Sequence, residues 1–259
     1  MKRKQHGFAI LEVVVAIAIL GLIIALVIFV STNKKTTDAG TGVQETQKKT
    51  ETKEVKIKHL GFELGYYDPA TNKAGDMQFT KEKIEFDTLF YPYGFEVPAN
   101  SMGPAKRNPQ PTFILPLGTK VHSLVDGEVY NVPKLYSGDY SVMVKGEGSD
   151  FIFETEHVIN VKVKKGDKVK AGDIIAEVSD YDTRNTAGFG LFEIGILKGG
   201  TPPSHVCPFD YLDDSIKDST LKKITASQKA WEEYRGDTTI YDESKVVIPG
   251  CLTRDLIEG

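Results

Sequence analysis

Two shortages narrow the field before any motif is read. The chain of 259 residues holds 2 cysteines, too few for a disulfide-dense scaffold or a four-cysteine zinc site. It also has no excess of positive charge. Lys and Arg total 32 against 36 Asp and Glu, a net charge of −4, which argues against a nucleic-acid partner. Nor is any residue class far from the globular mean. With 40% hydrophobic residues, 26% charged and 24 glycines, collagen-like, coiled-coil and wholly disordered chains are excluded. The length suits one sizeable domain with appendages, or two small domains.

What is present begins with an uninterrupted apolar run over 13–30, preceded by Phe8, Ala9, Ile10, Leu11 and a single acid, Glu12. As a helix, 8–30 would extend roughly 34 Å, enough for a bilayer core. Lys2, Arg3 and Lys4 precede it, so the positive-inside rule places the amino terminus in the cytoplasm and the rest outside. Ile28, Phe29, Val30 and Ser31 offer no small-x-small cleavage site, so the chain is expected to stay attached to the membrane. A carboxylate in a spanning segment costs about 2.5–3.5 kcal/mol on insertion scales, so Glu12 asks for a reason.

The stretch from Lys4 through Gly7, Phe8 and Glu12 to Val13 resembles the amino terminus of type IV prepilins and pseudopilins. That resemblance implies a cut after Gly7, methylation of Phe8 as the new terminus, and pairing of Glu12 with the amino group of a neighbouring subunit. An ordinary signal anchor carrying a stray acid is the other reading. Pilins continue their helix beyond the membrane, whereas residues 31–55 are rich in Gly, Thr, Lys and Gln with no apolar face. They read as a flexible tether, so filament building is not expected.

Beyond the tether, short β-type runs at 113–116, 121–125, 128–132, 140–145, 151–154, 161–163 and 174–178 are separated by turns such as Asp126-Gly127, Ser137-Gly138 and Gly172-Asp173. With no helical run between them, they predict a mainly β fold with an antiparallel sheet or barrel-like core. Gly118-Thr-Lys-Val121 and Gly166-Asp-Lys-Val169 echo each other, as in folds built from two hairpin units.

The longer strings Pro116–Val129, His157–Ile174, Phe192-Glu193-Ile194 and Pro208–Leu212 are similar to the lysostaphin/LytM-type metallopeptidase domain. The resemblance covers about 111–212 and leaves 56–110 as an amino-terminal extension and 213–259 as a helix and tail. It implies a tetrahedral zinc with one open position, held by a His-x3-Asp pair and the second histidine of His-x-His. Shared spacing puts those three ligands on Asn108, Thr112 and Leu191, and the first His-x-His position on Phe189. His157 alone keeps a family histidine, with Thr155 where a tyrosine is expected. Leucine offers no lone pair, and neutral Asn and Thr oxygens are poor zinc donors. The expectation is a pseudoenzyme without zinc or other cofactor.

Other ligand types remain at His122, Glu154, Glu156, His157, Glu193, His205 and Cys207. His205 reads as a solvated histidine near a structural cysteine. Glu154 and Glu156 read as a charged sheet face, with strand alternation taken to separate them. A lipoyl- or biotinyl-type carrier is disfavoured, because Met143-Val144-Lys145 is not the carrier motif. Cys207 and Cys251 fall on the outer side of the membrane, where an oxidising compartment would let them pair; closing that loop is worth about 4 kcal/mol in chain-entropy terms. Two buried thiols are the other reading. Between them, 213–235 predicts an amphipathic helix ending at Gly236, with Ile216, Leu221, Ile224 and Trp231 facing the core.

The function expected is a single-pass, externally facing binding or scaffold module, with peptidoglycan or an envelope-assembly protein as partner. A zinc peptidase with relocated ligands at His157, Glu154 or His205 is the first alternative. A minor pilin-like component of a pilus or secretion system is the second.

Overall fold

Sixteen strands, one long helix and two short 3-10 helices make up the regular structure of the residues that the computed structural model describes, 54–82, 87–99, 104–180 and 188–258. The leader, the apolar run with Gly7, Phe8 and Glu12, and nearly all of the tether lie outside the described residues. Among those described, no helix is long and apolar enough to cross a membrane. Thr50–Gly259 clusters as one compact unit.

Leu64–Asp68 (β1), Lys73–Gly75 (β2) and Met77–Gln78 (β3) form a small antiparallel sheet. Phe90–Tyr91 (β4) leads to a two-stranded ribbon of Glu96–Val97 (β5) and Lys106–Arg107 (β6). The main, eleven-stranded antiparallel sheet takes in β4 and then Thr112–Pro116 (β7), Lys120–His122 (β8), Gly127–Asn131 (β9), Tyr140–Gly146 (β10) and Ile152–Ile159 (β11). It continues with Lys168–Val169 (β12), Ile174–Val178 (β13), Phe189–Lys198 (β14), Ser204–His205 (β15) and Ile257–Glu258 (β16). Its spine runs β12-β9-β10-β11-β14-β15-β16, with β7 on the other side of β14 and β13 joining β11 to β8.

The β-type run at 161–163 is not a strand. Lys162 donates its N–H to Ile175 O at 2.8 Å, but no ladder forms. Val161 and Val163 pack half-buried against the core, which explains their strand-like alternation. The run at 151–154 extends in contrast to Ile159, because β11 is sandwiched between β10 and β14 and bonds to both.

Aromatic rings fill the centre. Phe113 of β7 packs on Phe62 at 4.7 Å and on Phe90 at 5.2 Å between centroids. The helix Asp214–Arg235 (α1) starts at Asp213, whose carboxylate accepts the Ser215 N–H, and stops where Gly236 adopts φ 76, a conformation glycine takes without strain. Ile224 and Trp231 are fully buried, while Ile216 and Leu221 are half-buried. Trp231 stacks edge-on against Phe79 at 5.3 Å and donates its indole N–H to Asp87 O at 2.9 Å. The helix therefore closes over the amino-terminal segment. A Cys207–Cys251 disulfide and the β15–β16 pairing tie the carboxy-terminal tail to the sheet.

Candidate functional site

Strand pairing alone brings the central polar residues together. Glu193 of β14 lies opposite Thr112 of β7 on one side and Glu156 of β11 on the other. Glu154 faces Gly195. Glu154 and Glu156 are two apart on one strand and so share a face, which corrects the expectation that alternation separates them.

A bulge then re-aims the end of β11. Tyr140 pairs with Val158 but Val142 pairs with Thr155, so β11 carries one extra residue there. His157 takes φ 58, an uncommon backbone conformation for a residue with a Cβ. Bulges of this kind redirect a side chain relative to the regular pleat. The His157 imidazole is buried, with Nδ1 3.1 Å from Asp139 Oδ2 and Nε2 3.7 Å from Glu193 Oε2. Asp139 in turn receives the hydroxyls of Ser137 and Ser179.

The positions that the resemblance assigns to zinc ligands are buried, but their polar atoms are directed elsewhere. The Asn108 amide donates to Thr112 Oγ1 at 3.2 Å, and Thr112 Oγ1 lies 3.1 Å from Glu193 Oε1. Leu191 is 8% exposed and packs with the core, as does Phe189. As they stand, these three side chains do not make a zinc donor set.

A second buried chain runs beside the first. Gln110 donates to Glu154 Oε1 at 3.0 Å, and His205 Nε2 sits 2.8 Å from the same oxygen. His205 is thus buried and paired, not solvated. A methyl group at Gly195 would come within 2.6 Å of Glu154 Oε1, so this glycine leaves the room that the carboxylate occupies.

Burial dominates the electrostatics. It raises the Glu193 carboxyl above its usual range, against the pull of the His157 charge. Burial and then the neighbouring Glu154 raise Glu156. At His157 burial works against the charged form, but the Asp139 hydrogen bond and the charges of Glu193 and Asp139 outweigh it and lift the pKa above the ordinary value. Burial likewise opposes ionisation of Asp139, yet bonds from His157, Ser137 and Ser179 hold its pKa down. Such a cluster can store a proton on His157 and share it with carboxylates. Glu156, His157 and Glu193 also offer ligand atoms within 4.8 Å of one another, a candidate metal-binding group distinct from the expected one.

Of the other candidates, His122 is outside this cluster, with Nδ1 2.7 Å from Gly172 O, and Cys207 is consumed by the disulfide. Reading the sequence missed Asp139, Gln110 and Ser179. Asp139 follows Gly138 in a turn, and nothing periodic connects it with a histidine on another strand.

Residues 112–200 match Peptidase family M23, and residues 2–28 match the prokaryotic N-terminal methylation motif. Among solved structures, the catalytic domain of the antimicrobial peptidase lysostaphin from Staphylococcus simulans is 20% identical, with 47% of this chain and 88% of that one covered at TM-score 0.39. The longer lysostaphin chain is 21% identical, with 49% and 50% covered at TM-score 0.40. A zinc-containing peptidase from Vibrio cholerae is 21% identical, with 53% and 37% covered at TM-score 0.35. This chain thus spans half or less of the two longer relatives. No curated protein matches. The chain carries an M23 peptidase domain over residues 112–200 behind a prepilin-type N-terminal methylation motif.

Proposed function

We propose that the chain is a membrane-anchored, outward-facing and non-catalytic binding or scaffold module on an M23-type fold. The observation that carries this reading is the state of the expected ligand positions. Asn108 donates to Thr112, Thr112 donates to Glu193, and Leu191 is apolar and packed. A zinc bound there would need at least two nitrogen or carboxylate donors that these side chains cannot supply. The methylation motif over 2–28 supports the membrane anchor. Cell-wall peptide or a protein of an envelope assembly is the partner this reading implies.

The test is hydrolysis of cell-wall peptides by the full chain in detergent with zinc supplied. No turnover is expected, and turnover by the unaltered chain that is lost in His157→Ala would overturn the reading. Pull-down of wall fragments should succeed equally well with and without zinc.

A relocated metal centre is the second reading, favoured by the 4.8 Å grouping of Glu156, His157 and Glu193. One imidazole and two carboxylates are suitable zinc donors. To ligate, His157 must be unprotonated at the donating nitrogen, and its raised pKa works against that. Zinc lost specifically in His157→Ala would favour this centre. A pilin-like role rests on the same motif, and sequencing the mature amino terminus tests it. A terminus at Phe8 supports it, whereas an uncut Met1 argues against it.

A further inference from the structure

A second histidine–carboxylate group lies away from the M23 site. His59 and Glu63 precede β1, and His122 ends β8. Their ligand atoms all fall within 4.8 Å of one another. We propose that His59, Glu63 and His122 form a binding site for one borderline divalent transition-metal ion of the Zn²⁺ class, which clamps the segment at 57–63 onto the M23 domain. This inference is independent of whether the domain is catalytic.

The backbone holds the two halves of the site in place. Lys58 and His59 donate their N–H groups to Leu124 O at 2.9 and 3.3 Å, and His122 donates to Gly61 O at 2.8 Å. The two imidazoles are therefore held against each other in a tilted arrangement, with ring centroids 4.7 Å apart at an interplanar angle of 37°. His59 packs over Gly172, where an added Cβ would sit 3.6 Å from His59 Cδ2.

The nitrogen chemistry fits an ion at one of the two rings without change. His122 Nδ1 lies 2.7 Å from Gly172 O, so Nδ1 carries the proton and Nε2 keeps its lone pair. A backbone carbonyl on the far nitrogen is the usual partner of a metal-bound histidine. His59 Nε2 is 3.3 Å from Glu63 Oε1. Two ligands at about 2.0–2.1 Å from a tetrahedral zinc lie about 3.3 Å apart, so this edge already has the required length. His59 must move one proton on binding. Its Nδ1 now accepts the Gly61 N–H at 3.1 Å, so the ion takes Nε2, the proton passes to Nδ1, and the Gly61 contact is released. Glu63 is largely exposed, with a side-chain accessibility of 70%, and can rotate to complete the set. Asp76, which accepts the Glu63 N–H at 2.8 Å, adds negative charge beside it. Two imidazoles and one carboxylate select zinc-like ions over magnesium or calcium, which prefer oxygen donors.

The experiment is calorimetric titration of the full chain in detergent micelles with zinc sulfate, and with magnesium sulfate as control. One zinc per chain is expected, with no magnesium binding, and the melting temperature should rise with zinc. Glu63→Gln, an exposed change that leaves the fold alone, should weaken zinc by on the order of tenfold or more. His122→Ala should abolish binding at this site, while His157→Ala should leave it intact, which separates it from any ion at the M23 site. Absence of zinc binding, or unchanged zinc affinity in both Glu63→Gln and His122→Ala, would overturn the proposal.

Discussion

Among the described residues, two groups of histidine and glutamate have ligand atoms within 4.8 Å of one another, and they differ in what their atoms are already doing. In the central group, His157 faces Asp139 at 3.1 Å and Glu193 at 3.7 Å, and Glu193 meets Thr112 at 3.1 Å. In the peripheral group, His122 has one nitrogen committed to Gly172 O, and Glu63 stands largely in solvent. Proximity of ligand types is common to both. The difference lies in what surrounds the imidazole: His157 is buried against carboxylates that raise its pKa, and protonation of an imidazole removes the lone pair that a metal needs.

The largest effect that could break this contrast is expected at Glu154. Its buried pair with His205 at 2.8 Å makes removal of one partner costly, about 3–5 kcal/mol by analogy with other buried pairs. Urea unfolding of Glu154→Leu should show that loss, and a change under about 1 kcal/mol would mean that the central network is not a structural unit. Gly195→Ala comes next. The added methyl would press on Glu154 at 2.6 Å, so about 1–3 kcal/mol of overpacking is expected in the same measurement.

A smaller effect should appear in the pH dependence of stability. His157, Glu193 and Glu156 all hold protons more tightly when folded. Such groups stabilise fully below their unfolded pKa values and cease to do so as pH rises through the folded ones. The melting temperature should therefore be highest in mild acid and decline as pH rises above about 4.3, where the glutamates begin to lose this contribution, and further above about 6.5, where His157 does. Asp139 acts oppositely, since its lowered pKa stabilises above about 3.8 and is lost in stronger acid. His157→Gln should flatten the upper limb of the profile, and an unchanged limb would remove His157 from the account. The smallest effect is expected at the periphery, where Glu63→Ala without metal should shift stability by no more than about 0.5 kcal/mol.

Much of the architecture was legible in the chain. The strand runs at 113–116, 128–132, 140–145 and 174–178 coincide with β7, β9, β10 and β13, and the helix over 213–235 ends at Gly236 as its glycine requires. The run at 161–163 misled because valines half-buried beside a sheet show the same alternation as valines within one. The central site was legible as a set of residue types but not as a network. Glu154 and Glu156 share a face because the strand period is two, contrary to the expectation that alternation separates them, and the burial of His205 has no local signal because its partner is 51 residues away. Asp139 carried no local signal at all.

By itself the sequence determined what is local or strongly patterned: the methylation motif, the β-rich M23 domain, the capped helix, and the presence of Asn108, Thr112 and Leu191 where donors are expected. Each of these depends on residue type and spacing along one segment. Tertiary structure alone decided which polar groups meet. Pairing of β14 with both β7 and β11 set Glu193 between Thr112 and Glu156, a bulge turned His157 toward Asp139, and the segment at 57–63 brought His59 onto His122. Protonation, hydrogen bonding and ligand geometry depend on distances between segments far apart in sequence, and only the folded chain sets those distances.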